Sequence, residues 1–433
     1  MRSQQQPQDD IMQNSFDSVI NYIERALSGS LEESAKIYGA LIRKRGVASA
    51  SGLLRGLLIY ASSAISIRML SLCAFALKIA DVSDTAWRKR IVASAAWLVF
   101  LLNSVLPKPP PQEELSAKKL NVRLIDASDV KAQGDNGMVY RIHMSYNLSA
   151  GCMDEIKVTD HHTAESFAHF TIEKDAIYIA DAGYGKAKLF SHLVSRQAHA
   201  ILRITPNLVR FVDQDGQLIE MVNKLDTAKK TMEFNCYMQD GKKAIPVRII
   251  ASQLPEDKKP DAIRRKMKKA QKDQRKCKPE TLVYAQWVIL ATSLEEDRFT
   301  AEEILAIYRC RWQIELLFKR IKQHFKVTRI RASSEKHAQA VIALWLLIWA
   351  IAEHQIVQAE RYLFQKEMDM ERYSIWTMSS FFFHRVKMMI DSAWATLLDP
   401  LLDLEALFHH LKNHKDGRRN QYFDFRRAFS LDA

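Results

Sequence analysis

The 433-residue sequence is poor in cysteine, glycine and proline. Its five cysteines form no C-x-x-C pair, and they are Cys73, Cys152, Cys236, Cys277 and Cys310. An unpatterned set of this kind excludes a disulfide-stabilised miniprotein and predicts reduced thiols in a cytoplasmic protein. The 13 glycines and 11 prolines exclude a collagen-like repeat. The amino-terminal residues 1–10 are polar and rich in glutamine, so no secretory signal peptide is visible.

Long hydrophobic runs are scarce as well. Three apolar runs stand out, at residues 57–67, 92–106 and 341–351. Each is shorter than the roughly 20 residues that a membrane-spanning helix requires. We therefore interpret all three as buried helices and expect no membrane partner.

The composition is that of a folded protein with an excess of positive charge. Apolar residues make up 48% of the chain and charged residues 26%, which excludes a disordered chain. Lysine and arginine number 63 against 50 acidic residues, giving a net charge of +13 and a pI near 9.4. This excess predicts a polyanionic partner, with nucleic acid first and an anionic membrane surface second.

The amino-terminal part has the pattern of a helical domain. Residues 1–15 are predicted to form a polar tail, and apolar positions recur at helical spacing through residues 16–106. The predicted helices lie near residues 35–45, 51–61, 65–80 and 84–102. Because the last helix carries Arg88, Lys89 and Arg90, the domain is compatible with helix-turn-helix DNA binding. The alternative is a helical bundle with a solvated basic face.

A proline-rich linker at residues 107–119 separates this domain from an α/β region at residues 120–206. Strands are predicted near residues 122–125, 138–146, 156–159, 176–180 and 200–204, and helices near 164–170 and 186–196. Residues 207–299 are rich in predicted strands, near residues 208–212, 218–222, 232–237, 247–252 and 283–292. Residues 300–360 return to long helices, and residues 361–433 contain weaker ones near 379–393 and 401–412.

One segment of the strand-rich region is strongly basic. Residues 258–278 contain eleven lysines and arginines among 21 residues, at near-helical spacing. We interpret them as a helix that neutralises DNA phosphates independently of base sequence. The alternative is a solubilising surface.

Two aspartates follow apolar strands. Asp126 comes directly after residues 122–125, and Asp181 comes directly after residues 177–180. A carboxylate at the carboxyl end of a strand faces the crevice where α/β proteins bind ligands. Each aspartate alone is typical of a turn residue or a helix cap. If the two strands are neighbours, both carboxylates can bind one hard cation.

The helix predicted over residues 301–325 has a polar face and an apolar face. The polar positions step by three or four residues, and they are Tyr308, Arg311, Glu315, Lys319 and Lys322. The apolar stripe, which is expected to pack on the sheet, is formed by Ile307, Ile314, Leu317, Phe318 and Ile321. On these residues alone, a salt-bridge ladder of Arg311, Glu315 and Lys319 is the alternative.

These residues resemble a known family. Tyr308-x2-Arg311-x3-Glu315-x6-Lys322 reproduces the Y-x2-R-x3-E-x6-K signature of bacterial insertion-sequence transposases, in the group called insertion-sequence family four. Asp126-Ala127-Ser128 is similar to that family's first catalytic aspartate, and the run from Ile177 to Tyr184 is similar to the second. The resemblance covers about residues 35–360. Ala182 departs from it, because the family often has arginine there.

The resemblance implies a ribonuclease-H-like catalytic core, formed by residues 120–206 and 300–360 and interrupted by the β-rich insertion 207–299. It implies an Asp126–Asp181–Glu315 triad that is catalytic and holds two Mg²⁺ ions, for which Mn²⁺ can substitute. Asp129 competes with Asp126 for the first position. The adjacent His161 and His162 are an alternative transition-metal site, but without further ligands a polar loop is the favoured interpretation of them.

The resemblance also implies contacts with DNA. Tyr308, Arg311 and Lys322 are expected to bind phosphates at the transposon end, with Lys319 as a lesser candidate. Trp287 and Trp312 resemble aromatic residues that the family places around an extruded base. Arg203 lies where the family has a DNA-contacting arginine. The alternative for Trp287 is a buried position in a sheet, since Val288, Ile289 and Leu290 follow it.

The function implied is that of a DNA transposase. It binds terminal inverted repeats in double-stranded DNA, cleaves the ends and joins the 3′-OH to target DNA, with a hairpin as one route of release. A homodimer in the DNA complex and a bacterial cytoplasmic location are expected, and the region 361–433 is a candidate dimer contact. The alternatives are a catalytically inactive DNA-binding inhibitor of transposition and a ribonuclease-H-like nuclease without strand transfer.

Overall fold

A computed structural model describes most of the chain. The described residues are 6–106, 120–132, 139–148, 150–160, 162–325, 329–330, 332, 334–366 and 374–393. The chain divides into two compact units, one formed by residues 1–97 with 387–433 and the other by residues 98–386. The predicted linker at 107–119 lies outside the described residues and stays a prediction; the two units meet in sequence between Trp97 and Leu98.

The amino-terminal unit is helical, as the sequence predicts. The helices that begin before residue 98 are α1 Gln6–Arg25, α2 Leu31–Ile37, α3 Ala50–Ser62, α4 Ile67–Ala76, α5 Asp84–Ala93 and α6 Ala95–Val105. Serine caps recur at their starts, and Ser83 accepts a hydrogen bond from the Ala86 amide at the start of α5. The first helix begins at Gln6, inside the segment predicted as a polar tail.

Two helix predictions in this unit are wrong. The helix predicted over residues 84–102 is two helices, because α5 ends at the Ser94 cap before α6 begins. The helix predicted over residues 35–45 ends at Ile37, and a loop follows. Gly39 and Gly46 have φ angles of +75° and +68°, a conformation that ends a helix and that glycine adopts without strain.

The second unit contains one ten-stranded sheet. Its strands are β1 Val122–Ala132, β2 Val139–Asn147, β3 Cys152–Asp160, β4 Ile177–Ala180, β5 His199–Arg203, β6 Phe211–Val212, β7 Thr231–Asp240, β8 Lys243–Gln253, β9 Trp287–Thr292 and β10 Arg329–Ile330. The order is β3-β2-β1-β4-β5-β9-β8-β7-β6, and β10 pairs with β1. The predicted insertion therefore extends the same sheet through β9, which runs antiparallel to β5.

The strand directions divide the sheet. β1, β2 and β3 are antiparallel neighbours, whereas β4 and β5 run parallel to β1. The parallel pairing of β1 with β4 ends at Leu124, opposite Ile179. β1 then continues to Ala132, so the expectation that it ends before Asp126 is wrong. Its polar second half is held by the antiparallel ladder with β2.

Eight more helices follow α6 in the described part of the chain. They are α7 Ala187–Val194, α8 Met221–Lys224, α9 Lys259–Lys272, α10 Pro279–Ala285, α11 Ala301–Arg309, α12 Trp312–Phe325, α13 Glu335–Gln365 and α14 Ile375–Asp391. α12 packs on β1 and α13 packs on β3. The basic run is helical over α9, as predicted.

Several other predictions in this unit need correction. The helix expected near 164–170 is only a short 3-10 turn at Phe167–His169. The strand expected at 218–222 is replaced by α8, and the one at 283–292 becomes α10 followed by β9. The helix expected at 401–412 lies outside the described residues.

Among the residues that the structure describes, one helix is long and apolar enough to cross a membrane. Within α13, Glu335–Glu360 meets that criterion, although 83% of its most apolar window is buried in the protein. A buried core helix satisfies the same length and composition test. The run 341–351 is part of this helix, and its burial agrees with the core interpretation.

Candidate active site

The register of the sheet brings the two aspartates to the same level. Val122 pairs with Ile177 and Leu124 with Ile179. Asp126 is two residues beyond Leu124, and Asp181 is two residues beyond Ile179. Neighbouring parallel strands are about 4.8 Å apart, so the two carboxylates lie side by side where the β1–β4 pairing ends.

The Asp126 carboxyl lies in an acidic and largely buried environment. Burial, together with the nearby carboxylates of Asp181 and Glu315, raises its pKa from 3.8 to about 7. The Ala127 amide donates to Asp126 Oδ1 at 2.8 Å and lowers the pKa, as does Arg311. Asp126 is therefore within electrostatic range of both other predicted triad members.

Asp181 is held by the turn that follows β4. The Gly183 amide donates to Asp181 Oδ1 at 2.8 Å, and the Tyr184 amide donates to the Asp181 carbonyl. Gly185 continues this turn close to the end of β5, where a Cβ atom would lie 2.1 Å from the Arg203 carbonyl oxygen. Glycine at 185 lets the turn after Asp181 pack on the backbone of Arg203.

Glu315 is in the first turn of α12 and is paired with arginine. Arg311 Nη2 lies 2.6 Å from Glu315 Oε1, and the Arg311 guanidinium carbon is 5.9 Å from the centroid of the Tyr308 ring. The Tyr308 side chain is buried, which raises its pKa, whereas Arg311 and Arg203 lower it. These four side chains form one electrostatically coupled group beside Asp126.

The prediction of one continuous helix through these residues is wrong. α11 ends at its Cys310 cap, and α12 begins at Trp312. The Arg311 amide donates to the Tyr308 carbonyl at 3.0 Å, a tight turn that joins the two helices. The apolar stripe predicted for this region is confirmed within α12, where its four members are buried: Ile314, Leu317, Phe318 and Ile321.

The two lysines of α12 have different surroundings. Burial lowers the pKa of Lys322, while Asp129 and Asp126 raise it, so this ammonium lies near the aspartates. Lys319 is exposed, and its Nζ is 5.7 Å from the centroid of the Trp376 ring on α14. Trp312 is 57% exposed. Lys322 therefore belongs to the site, whereas Lys319 is directed towards α14.

Asp129 and the paired histidines are less suited to the site. Asp129 lies within β1 and not beyond its end, and its Oδ1 accepts a hydrogen bond from Arg141 Nε at 2.9 Å. Because Asp129 is three residues from Asp126 in a strand, the two side chains start from opposite faces of β1, although the Lys322 ammonium is within electrostatic range of both. His161 lies outside the described residues, and His162 is exposed.

The structure adds one carboxylate that the sequence did not indicate. Glu165 lies beside Gly183: a Cβ atom built there would be 2.2 Å from Glu165 Oε2 and 3.0 Å from Asp181 Oδ1. Burial raises the pKa of Glu165, and Asp181 raises it further, while Arg141 and Lys186 lower it. Glu165 is in an irregular segment, so no periodicity signals it.

Arg203 and Trp287 line a cavity of about 290 Å³. Its walls include Ala182, next to Asp181, and Lys266 of α9. Burial lowers the pKa of the Lys266 ammonium, and Arg203 lowers it further. Trp287 is only 2% exposed and packs in the hydrophobic core of the sheet. The indole therefore lies in the sheet, as the alternative interpretation has it, and its contact with an extruded base stays a prediction.

The donor set fits a hard divalent cation. Asp126, Asp181 and Glu315 offer carboxylate oxygens. Burial and the repulsion from the other two carboxylates together hold the pKa of Asp126 near 7. A cation between them relieves that repulsion. Among the residues that the structure describes, no three histidine, cysteine, aspartate or glutamate side chains are drawn together tightly enough to hold a metal ion.

Removing the glycine at the turn after Asp181 should destabilise the protein. Gly185→Ala forces a Cβ atom against the Arg203 backbone, which cannot move as a side-chain end can. We expect the free energy of unfolding to fall by about 1–3 kcal/mol in chemical denaturation. Gly29→Ala is the matched control, because its Cβ atom would meet only a side-chain oxygen at 3.4 Å. Equal stabilities for the two variants would contradict the close approach.

Comparison with known proteins identifies the family. Residues 117–351 match the family model described as the transposase DDE domain. The chain is 31% identical over 325 residues to the InsL protein of insertion sequence element IS186A from Escherichia coli strain K12, covering 73% of this chain and 88% of that relative. It is also 31% identical over 326 residues to the transposase of insertion sequence element IS421 from Escherichia coli, with the same coverage.

The matched region 117–351 includes Asp126, Asp181 and Glu315, the three acidic residues of the predicted triad. Members of this family cleave and transfer DNA strands and use divalent metal ions. The chain belongs to the DDE transposases of bacterial insertion sequences.

Proposed function

We propose that this transposase binds the terminal inverted repeats of its own element, cleaves the ends and joins the 3′-OH to target DNA, with Asp126, Asp181 and Glu315 as its catalytic triad. The observation that carries the proposal is the coupling of the three carboxylates. Asp126 and Asp181 lie at one level of adjacent strands, and Glu315 of α12 is within electrostatic range of Asp126. Arg311 secures Glu315 at 2.6 Å.

The strand order supports a ribonuclease-H-like core. Three antiparallel strands are followed along the chain by two strands parallel to the first, in the order β3-β2-β1-β4-β5. The helices α11 and α12 return to this part of the sheet after the insertion, and α12 packs on β1. This connectivity supports a triad drawn from one core, although Glu315 lies 134 positions after Asp181 in the sequence.

Asp126, Asp181 and Glu315 are the residues that would hold two Mg²⁺ ions, or Mn²⁺ in their place. When bound, such ions activate the attacking oxygen and stabilise the leaving 3′ oxygen of a phosphodiester. The protein orients its own carboxylates through the Ala127 and Gly183 amides. These hydrogen bonds orient one oxygen of each aspartate in the absence of DNA, and binding of the ions would draw the three carboxylates closer together.

The basic groups around the triad would hold the DNA. We assign Tyr308, Arg311, Lys322 and Arg203 to the phosphates near the scissile bond, because each is coupled to the carboxylates or to another member of this group. Guanidinium groups suit this role, since their planar fork binds two phosphate oxygens at once. Trp312 is exposed enough to stack on a base, and Lys319 is the weakest candidate.

The remaining assignments follow from the same proposal. The helical region 16–106 would recognise the terminal repeats, and the exposed basic helix α9 would add affinity independent of sequence. The protein would form a homodimer in the DNA complex, with residues 361–433 as a contact. Its location would be the bacterial cytoplasm. Release through a hairpin would require an extruded base, for which the cavity beside Arg203 offers space.

Incubation of the protein with a supercoiled plasmid carrying the inverted repeats that flank its gene, a target plasmid and Mg²⁺ tests this function. We expect nicks at the repeat ends, followed by joining of those ends to the target. An inactive inhibitor retards the repeat DNA without cutting it, and a nuclease cuts without joining. Either result would replace the proposed function with the corresponding alternative.

Divalent cations should stabilise the protein more at pH 8 than at pH 6. The pKa of Asp126 is raised from 3.8 to about 7, so the metal-free protein retains a proton there that the unfolded chain has lost. Its stability therefore falls as the pH rises from about 4 to about 7, and cation binding must displace that proton below pH 7. The measurement is the rise in Tm on adding Mg²⁺ at each pH, and we expect apparent affinity to change by up to about tenfold per pH unit.

Asp126→Asn removes both the titrating group and one proposed metal ligand, so we expect the pH-dependent part of the rise in Tm to disappear in this variant. Burial also raises the pKa of Glu353, on α13, to about 8. The Glu353 carboxyl changes the Tm equally with and without Mg²⁺. Subtracting the Tm measured without metal from the Tm measured with metal at each pH therefore removes its contribution. An equal rise in Tm at both pH values would contradict a proton held at Asp126.

A further inference from the structure

A loop in the amino-terminal unit presents an unusual combination of side chains. Between α2 and α3, Ile42 is 71% exposed and is followed by the exposed Arg43, Lys44 and Arg45. We call residues 42–45 the tip. An isolated aliphatic side chain at the surface is ordinary, but here three consecutive cations follow it directly.

The tip is rigidly held at its amino-terminal side. Ala40 and Leu41 are buried, and both of their amides donate to the Ala35 carbonyl at the end of α2, at 2.8 Å and 3.2 Å. Gly39 turns the chain there with a φ angle of +75°. Since the preceding residues are buried and hydrogen-bonded, the outward position of Ile42 is determined by the fold.

The carboxyl-terminal side is held equally well. Val47 is completely buried, and Gly46 accepts a hydrogen bond from the Asp81 amide at 2.9 Å. A Cβ atom at Gly46 would lie 2.5 Å from the Asp81 carbonyl oxygen, so the loop touches the backbone there. Arg90 of α5 donates to the Arg45 carbonyl at 2.5 Å. This contact places the tip beside α5, whose Arg88 and Lys89 are exposed.

One acidic residue orders the loop without neutralising it. Glu32 Oε1 accepts from the Ala50 amide at 2.6 Å, and Glu32 Oε2 lies 3.2 Å from Lys44 Nζ. The Lys44 side chain remains 60% exposed. Arg43 and Arg45 are exposed beside it, so the tip offers two guanidinium groups and one ammonium to a ligand.

The ligand that fits must be anionic at its edge and apolar inside. Duplex DNA has that arrangement, because phosphates border the groove and stacked bases form its floor. Proteins that bind the minor groove insert single aliphatic side chains between base steps and place arginines along the narrow groove. An anionic lipid surface shares the charge, but one isoleucine gives it little apolar area to bury.

We propose that the tip is a minor-groove wedge, in which Ile42 enters between two base pairs while Arg43, Lys44 and Arg45 bind the flanking phosphates. The inference rests on the proposed function in one respect, namely that the amino-terminal unit binds DNA. It goes further in naming the element, the groove and the deformation of the duplex.

The test uses the full-length protein without divalent metal and an A·T-rich duplex in which 2-aminopurine replaces some adenines. Anisotropy reports binding, and 2-aminopurine fluorescence reports unstacking. We expect the parent protein to raise the fluorescence, and Ile42→Ser to abolish that rise while weakening binding by about tenfold. The double variant Arg43→Gln/Arg45→Gln should lower the slope of log affinity against log salt by about 2.

Leu218→Ser is the matched control. Leu218 is also an exposed aliphatic residue, at 53%, but it is near Asp213, Asp215 and Glu220 and not near a basic cluster. We expect this variant to bind and unstack the duplex as the parent does. Circular dichroism spectra and Tm values equal to those of the parent would show that each variant is folded. We expect this result because all the substituted side chains are exposed.

The outcomes separate this inference from the proposed function. If the parent binds the duplex and Ile42→Ser leaves the fluorescence rise intact, the wedge is wrong and the transposase function stands. If the tip variants lose binding to phosphatidylglycerol vesicles but not to the duplex, the tip is a lipid contact and the inference is overturned. If the parent binds no duplex under any salt condition, both the wedge and the assignment of DNA binding to this unit are wrong.

Discussion

Replacing Asp181 with asparagine should lower the rate of DNA cleavage by about a thousandfold or more, while binding to repeat-bearing DNA stays nearly unchanged. Asparagine keeps the shape of the side chain, and its carbonyl oxygen can still accept the Gly183 amide that holds Oδ1 at 2.8 Å. The lost property is negative charge beside Asp126, which the divalent cations need. Cleavage is measured on a labelled repeat duplex in Mg²⁺, and binding by gel retardation without metal.

Asp129→Asn is the matched control for this substitution. Asp129 is also a carboxylate near the end of the β1–β4 pairing, but it faces away from Asp126 and is paired with Arg141. We expect this variant to cleave within a few-fold of the parent rate. An Asp181→Asn protein that still cuts, or an Asp129→Asn protein that does not, would remove the Asp126–Asp181–Glu315 triad from consideration.

The position of Asp181 could be predicted because it depends on local signals. The run Ala176 to Ala180 is continuously apolar, which is typical of a strand buried on both faces, and β4 occupies four of those residues. The end of β1 could not be predicted in the same way. Its second half alternates irregularly and is half exposed, so it is kept extended by pairing with two later segments, β2 and β10.

The break between α11 and α12 shows a second limit of sequence patterns. Neither glycine nor proline marks it, and the polar residues keep helical spacing through Cys310 and Arg311. The break changes the contacts of this face only in part. Arg311 still pairs with Glu315 one turn later, as the spacing predicts, but Lys319 lies over the ring of Trp376. Glu165 could not be found at all, because only the tertiary fold brings that irregular segment against Gly183.

Trp287→Ala should destabilise the protein by about 3–5 kcal/mol, the usual cost of removing a buried tryptophan. The indole is 2% exposed and packs in the core between the sheet and its helices, where it also closes one wall of the cavity beside Arg203. A cavity left by the missing ring cannot collapse easily, because β9 is hydrogen-bonded on both sides. Chemical denaturation measures the loss, and a cleavage time course separates nicked, hairpin and fully cut products.

Because burial assigns Trp287 to the core, nicking and second-strand release should fall together in that time course, in proportion to the fraction of folded protein. Trp312→Ala is the matched control: this indole is 57% exposed, so its removal should change stability by about 0.5 kcal/mol or less. If Trp312 stacks on an extruded base, its variant slows second-strand release alone. The opposite result is a Trp287→Ala protein that is as stable as the parent and nicks normally, but releases the second strand slowly. That result would make Trp287 the stacking residue, since an indole contributes roughly 1–3 kcal/mol per stacked base.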